Sequence, residues 1–245
     1  MEKTLHEQLV DSNKSAFQRY QDLALGTNSL WYLIKYELIL LFASWVPGAL
    51  GLLLRKKLYP SLLGSVGKNA IFGQGVTLRH PLKIHLGDNV VIDDYATLDA
   101  KGTDNKGIKI GDDVIVSRDV VFSCKNGNLT VGSGCTFGLN TLVQAIDGSD
   151  VDIGNDVLVA AFVYIIGCGP YGTDQLDVPF KKQGIVSKGG IRISDNVWIG
   201  SGSQLMDGIE IGTGSIIASN SVVNKSIVSY AVSAGMPAKV IKMRE

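Results

Sequence analysis

A six-residue period constrains this chain more than any other feature. Stepping by six within successive blocks gives Val66, Phe72, Leu78, then Leu86, Ile92, Leu98, then Ile110, Val116, Phe122, then Val131, Phe137, Val143. The series continues through Ile153, Val159, Ile165, then Ile193, Ile199, Leu205, and ends with Ile211, Ile217, Val223. Every position is Val, Ile, Leu or Phe, and a fixed period of this kind marks stacked structural repeats. The opening aliphatic of each block is followed by Gly67, Gly87, Gly111, Gly132, Gly154, Ser194 and Gly212. Three residues later come Ala70, Val90, Val114, Cys135, Val157, Val197 and Ser215, all small or β-branched. Such a pattern predicts short strands meeting at corners, with glycine relieving backbone strain where the chain bends tightly. Three hexads make one triangular coil, and dipeptides such as Ile84-His85 or Ile191-Arg192 extend its third side. The predicted fold is an all-β solenoid, a parallel β-helix of about seven coils over residues 66–241. Much of the excess of glycine, 29 in 245 residues, belongs to its corners.

Two segments interrupt the period. Residues 101–107 are a short polar excursion, and residues 170–190 form an aperiodic loop of the length usually kept for a functional arm. The chain before Val66 obeys other rules, and residues 1–65 read as a helical segment. Its first part is polar, with Leu5, Leu9, Phe17 and Tyr20 scattered along a weak helix. Residues 30–54 are strongly apolar and run into Arg55-Lys56-Lys57. Leu38 to Leu54 carries no charge, yet Pro47-Gly48 breaks it midway, so a continuous span is disfavoured. A broken hairpin with basic and aromatic flanks suits a membrane interface through residues 30–57, and equally a cap over the open first coil.

Composition excludes several classes. With 23 basic and 23 acidic residues there is no global field to attract nucleic acid. Cys124, Cys135 and Cys168 show no CxxC pair, which fits a reducing compartment, and the polar, mixed-charge start is not a secretory signal. The expected location is cytoplasmic, peripheral to the inner face of a membrane if the hairpin docks there.

The C-terminal stretch is the most specific. Asn196-Val197-Trp198-Ile199-Gly200, Asp207-Gly208-Ile209-Glu210-Ile211-Gly212, Ser221-Val222-Val223 and Gly235-Met236-Pro237-Ala238-Lys239-Val240-Ile241 follow in order. Together with the hexads, this resembles the left-handed β-helix of the hexapeptide-repeat acyltransferases, in the xenobiotic and sugar O-acetyltransferase branch. Arg79-His80-Pro81 and Ile92-Asp93-Asp94 resemble its polysaccharide-modifying subgroup. The resemblance implies a homotrimer with acetyl-CoA in a groove between prisms, and a histidine at the base of the long loop as general base toward a hydroxyl acceptor. It also implies a cofactor set of Trp198, Ser201, Gly202 and Ser219 along the groove, with Lys239 toward the nucleotide phosphates.

The chain departs from that pattern where the base belongs. The loop reads Gly169-Pro170-Tyr171-Gly172-Thr173-Asp174, and Pro170, or Tyr171 if the loop is shifted by one, holds the histidine's place. His80 and His85 lie about four rungs away, roughly 19 Å at 4.8 Å per rung, and are expected to be structural. Their spacing resembles part of the zinc site of β-helical carbonic anhydrases, but only His6 could supply a third ligand, so no metal is assigned. Asp174 and Tyr171 remain as the catalytic candidates, with Asp177 as an alternative carboxylate; Cys168 as an acyl-accepting nucleophile is the weaker reading. Ala218-Ser219-Asn220 stands where the family has Gly-Ala-Gly. Two functions follow: an acyl-CoA-dependent O-acyltransferase acting on a sugar or lipid-linked glycan, or a catalytically inactive hexapeptide-repeat scaffold or glycan-binding protein that partners an active paralogue.

Overall fold

The computed structural model describes residues 14–245; Leu5, His6 and Leu9 lie outside the described residues. From Ser65 the chain winds as a parallel solenoid with three faces. Seven strands stack on face A, from Ser65–Val66 to Ile209–Ile211, and seven on face C, from Thr77–Arg79 to Val222–Val223. Nine lie on face B, beginning at Ile71–Phe72, and the last, Ala238–Met243, folds back antiparallel on Ala231–Gly235. Each hexad residue pairs with its equivalent one coil on, as Leu98 with Phe122 and Val143 with Ile165. All the hexad residues except Val66 are buried, so the period read from the sequence is the inward-facing period of the coil. Phe122 and Phe137 meet edge to face at 4.9 Å inside the prism.

The corners correct one expectation. The ladder glycines do not supply the bend. Gly132 has no positive φ; a Cβ there would stand 2.6 Å from the Gly154 carbonyl carbon of the next coil. Glycine is required because backbones of successive coils stack too closely for a side chain. The left-handed turn comes two residues later, at Asn69, Asn89, Asp113, Asp156 and Asn196, types that tolerate that region best after glycine. Side chains at the intervening position tie coil to coil. Asp112 accepts from the Asp88 backbone N–H at 2.7 Å, and Asp195 from that of Asn155 at 2.7 Å.

Coil length varies at one corner alone. The A-to-B turns (87–90, 111–114, 194–197) and the B-to-C turns (93–96, 117–120, 200–203) keep one length. The C-to-A connections include the 3-10 turn Pro81–Lys83, the excursion 102–107 and the arm 168–190.

Three helices precede the solenoid: α1, Ala16–Ala24, opened by a Ser15–Gln18 capping box; α2, Leu30–Ala43; and α3, Gly48–Leu58, with the break at Pro47. They cover the open edge of the first coil, whose outward backbone groups would otherwise lack partners. Tyr36 Oη donates to Leu78 O at 2.7 Å, Arg55 Nε to Phe72 O at 2.9 Å, and the Gly75 and His80 N–H groups donate to Ser44 O and Ala24 O. Arg55 therefore separates from the basic run it heads in the sequence. It is buried, and its guanidinium also donates to Ala43 O and Val46 O, while Lys56 and Lys57 stay exposed.

Candidate active site

The cofactor candidates gather at the B-to-C corner of the last coils. Trp198 points outward on face B, half exposed, between Leu158 and Ile216 of the neighbouring coils. Gly200-Ser201-Gly202 turns the corner directly beneath Ala218-Ser219-Asn220: a Cβ on Gly200 would meet the Ser219 nitrogen at 2.5 Å, and Ser201 O accepts from the Asn220 N–H at 2.8 Å. Ala218 in turn donates to Ser233 O, and Gly235 N–H to Ser221 Oγ at 3.2 Å, so the final hairpin lies over the same corner. Lys239 sits on that hairpin opposite Ala234, exposed. Ser219 and Asn220 are exposed at the corner, which lets their side chains line a groove there without disturbing the core.

The catalytic candidates lie on the other edge of face C. The arm leaves face C after Tyr164–Gly167 and returns to face A at Ile191–Ile193. It folds as a hairpin: Tyr171 bridges Ile185, Gly172 donates to Gly184 O, and Gln183 Nε2 donates to Gln175 O and Val178 O at 2.8 and 2.7 Å. Pro170, Tyr171, Asp174 and Asp177 are all exposed on it. Within one chain the arm springs from the C-to-A corner, and the cofactor candidates lie at the B-to-C corner across face C.

The arm's base holds a group that sequence reasoning missed. Asp207 is buried and accepts from the backbone N–H groups of Lys188 and Gly190 at 2.6 and 2.8 Å and from Ser149 Oγ at 3.1 Å. Ser149 Oγ lies 2.7 Å from Ser187 Oγ. This network pins the returning strand of the arm to coils four and six. The available signal was Asp207-Gly208, a turn pair closing a coil at the height of the arm. Beside it, an open groove of about 310 Å³ is lined by Asp150, Asp152, Lys188, Arg192 and Glu210.

Neither described imidazole reaches the arm. His80 is buried in a left-handed turn with Nε2 2.7 Å from Asp22 O, and it anchors α1. Burial holds its pKa below the usual histidine value. His85 lies on face A beside Ser65 Oγ, 3.0 Å from Nδ1. Among the described residues, no group of three His, Cys, Asp or Glu could hold a metal ion. Burial, with Asp207 nearby, raises the Cys168 thiol pKa, which lowers the thiolate fraction a nucleophile needs. Cys124 is pushed up to about 12 by burial.

A three-sided parallel prism built on aliphatic hexads, with a late corner and a projecting arm, defines the class of trihedral hexapeptide-repeat proteins. The profile of the bacterial transferase hexapeptide family (six repeats) matches residues 190–225, the stretch that builds the corner under Trp198 and Ser219. A candidate acetyltransferase of Saccharomyces cerevisiae is 33% identical over 168 residues, covering 66% of this chain and 82% of its own. The galactoside O-acetyltransferase of Escherichia coli is 29% identical over 163 residues, 66% of this chain and 71% of its own. A probable acetyltransferase of Mycobacterium tuberculosis is 28% identical over 88% of this chain, and the chain spans 58% of that relative's length. The chain belongs to the hexapeptide-repeat acyltransferase family. In fold it is similar to a variant of AntD, an N-acyltransferase from Bacillus cereus solved with dTDP-4-amino-4,6-dideoxyglucose and coenzyme A. The TM-score is 0.52 at 19% identity, over 83% of this chain and 92% of that one.

Proposed function

We propose that this protein is an acyl-CoA-dependent O-acyltransferase, using acetyl-CoA to acylate a hydroxyl of a sugar or lipid-linked glycan presented at a membrane surface. The observation that carries this reading is the coincidence of the family-matching stretch 190–225 with the corner where Trp198, Ser201, Gly202 and Ser219 come together. The acetyltransferase relatives cover the same region and support it. In this reading the coils wind left-handed and the protein is a homotrimer, because the arm of one prism then lies against the groove of the next. Pantetheine runs along the Gly200–Gly202 and Ala218–Asn220 corners, and Lys239 meets the nucleotide phosphates as a cation. Proton removal from the acceptor falls to Asp174 or Tyr171. Catalysis in this reading rests mainly on holding hydroxyl and thioester in contact.

The second reading, an inactive trimeric scaffold, is favoured by one observation: the described arm offers no imidazole. Calorimetry with acetyl-CoA separates the two. Micromolar binding to the wild type is expected, and absence of binding at millimolar ligand would sink the enzyme reading. A Pro170→His variant that gains acetyl transfer to a sugar acceptor would place the missing base on the arm; equal turnover in wild type and Asp174→Asn would exclude Asp174.

A further inference from the structure

The helical cap carries an apolar surface that the solenoid does not use. The buried side of the cap carries Leu33, Tyr36, Ile39 and Ala43 on α2 and Gly51 and Arg55 on α3, and from it Tyr36 and Arg55 donate to Leu78 O and Phe72 O of coil one. On the opposite side lie Trp31, Ile34, Leu41, Phe42, Trp45 and, on α3, Leu53, each at least half exposed; Trp31 is 77% and Trp45 64% exposed. Isolated exposed apolar residues are ordinary, but an adjoining set with two tryptophans is an interaction surface.

The polar chemistry of the hairpin narrows what can lie against it. At the break, the backbone carbonyls freed by the end of α2 are taken up internally. Ser44 Oγ donates to Leu40 O, Trp45 Nε1 to Leu41 O at 2.7 Å, and Arg55 Nη1 to Ala43 O and Val46 O. The Trp45 N–H is satisfied by the last turn of α2, so that ring can enter an apolar phase without stranding a donor. Lys35 is held by Ser61 O and Glu37 by the Tyr20 hydroxyl. Lys56 and Lys57, exposed at the rim, have no ion-pair partner among the described residues. Among the described residues no helix is long and apolar enough to cross a bilayer, and a broken hairpin with an apolar outer side is of the kind that lies in an interface.

We propose that the outer face of the α2–α3 hairpin docks in the interface of an anionic membrane, its apolar side chains among the acyl chains and Lys56 and Lys57 among lipid phosphates. This deepens the membrane-surface part of the functional reading and needs no acetyl-CoA, so the two can fail separately. In a parallel trimer, three such faces share one end of the assembly and add in avidity.

The test is sedimentation of the full chain with vesicles of phosphatidylcholine containing phosphatidylglycerol, against phosphatidylcholine alone. Binding to the anionic vesicles that weakens as salt is raised is expected. Trp31→Ser with Trp45→Ser is expected to lower partitioning at least tenfold, and Lys56→Gln with Lys57→Gln roughly tenfold on anionic vesicles. Of these side chains only Trp45 makes a bond described within the cap, to Leu41 O, and an unchanged thermal melt verifies that the cap holds without it. In a Trp198→Phe background the remaining tryptophans, Trp31 and Trp45, report directly: a blue shift and quenching by brominated lipid are expected. Absence of binding to either vesicle overturns the proposal. So does end-to-end association without lipid that the tryptophan variants abolish, which would make a second copy the occupant.

Discussion

Faces A and B are both built from aliphatic hexads but turn opposite chemistry outward. Along face A the outward ladder reads Ser65, His85, Lys109, Thr130, Asp152, Arg192, Glu210, polar at every rung. Along face B it reads Ile71, Val91, Ile115, Thr136, Leu158, Trp198, Ile216, Val232, apolar at all rungs but one. The interior dictates neither ladder. An outward stripe of aliphatic residues continuous over the height of a prism is what a lateral interface requires, and a polar stripe is what water requires. In the proposed trimer, face B is the side that meets a neighbouring prism and face A the side that meets water.

The largest expected effect breaks the comparison directly. Leu158→Asp on face B is expected to dissociate the proposed trimer to monomers in light scattering, whereas Thr130→Asp on face A is expected to leave its mass unchanged. The corner joining the two faces comes next. Gly132→Ala forces a Cβ against the Gly154 backbone and is expected to cost about 1–3 kcal/mol in urea unfolding, whichever face is mutated beside it. A smaller effect lies outside both faces, at the cap. Because burial lowers the His80 pKa, the unfolded chain binds a proton that the folded chain does not, in the window between the folded value and about 6.5. This contribution is complete above that window and fades as pH falls through it. His80→Gln is therefore expected to shrink the loss of melting temperature between pH 7.5 and 5.5. The smallest effect sharpens the picture of face A. Arg192 and Glu210 pair at 2.6 Å but are both about two-thirds exposed, so Arg192→Ala is expected to change stability by less than about 0.5 kcal/mol. A larger loss would show face A to be covered.

The inward half of the molecule was legible because burial repeats with the coil: Leu98, Phe122 and Val143 occupy one register and face one environment. The glycine ladder was legible as a pattern but not as a cause. A sequence shows that Gly132 recurs, not that Gly154 lies above it. Arg55 was misplaced among the basic flank, since adjacency to Lys56 and Lys57 hides that a helix turns successive residues to different sides. The candidate site falls in two pieces. Trp198, Ser201, Gly202 and Ser219 fall at one corner, Tyr171 and Asp174 beyond another, and nothing in a linear order tells which edge of a face a loop will occupy. Asp207 stands within the C-terminal motif but its role is not legible there, because it receives backbone N–H groups from the arm's return, a contact set by the stacking of coils.

Confinement of all length variation to the C-to-A corner has a practical side. The two fixed corners set the stacking, and the third is a seam along which chain can be paid out without shifting any rung. The excursion at 102–107 is a short instance and the arm at 168–190 a long one, and coils on either side of both remain in register. The scaffold is therefore open to grafting: a peptide epitope or fluorescent tag spliced into the 102–107 excursion should leave the prism, the Trp198 corner and the helical cap undisturbed. The same splice at 111–114 would collide with the glycine ladder.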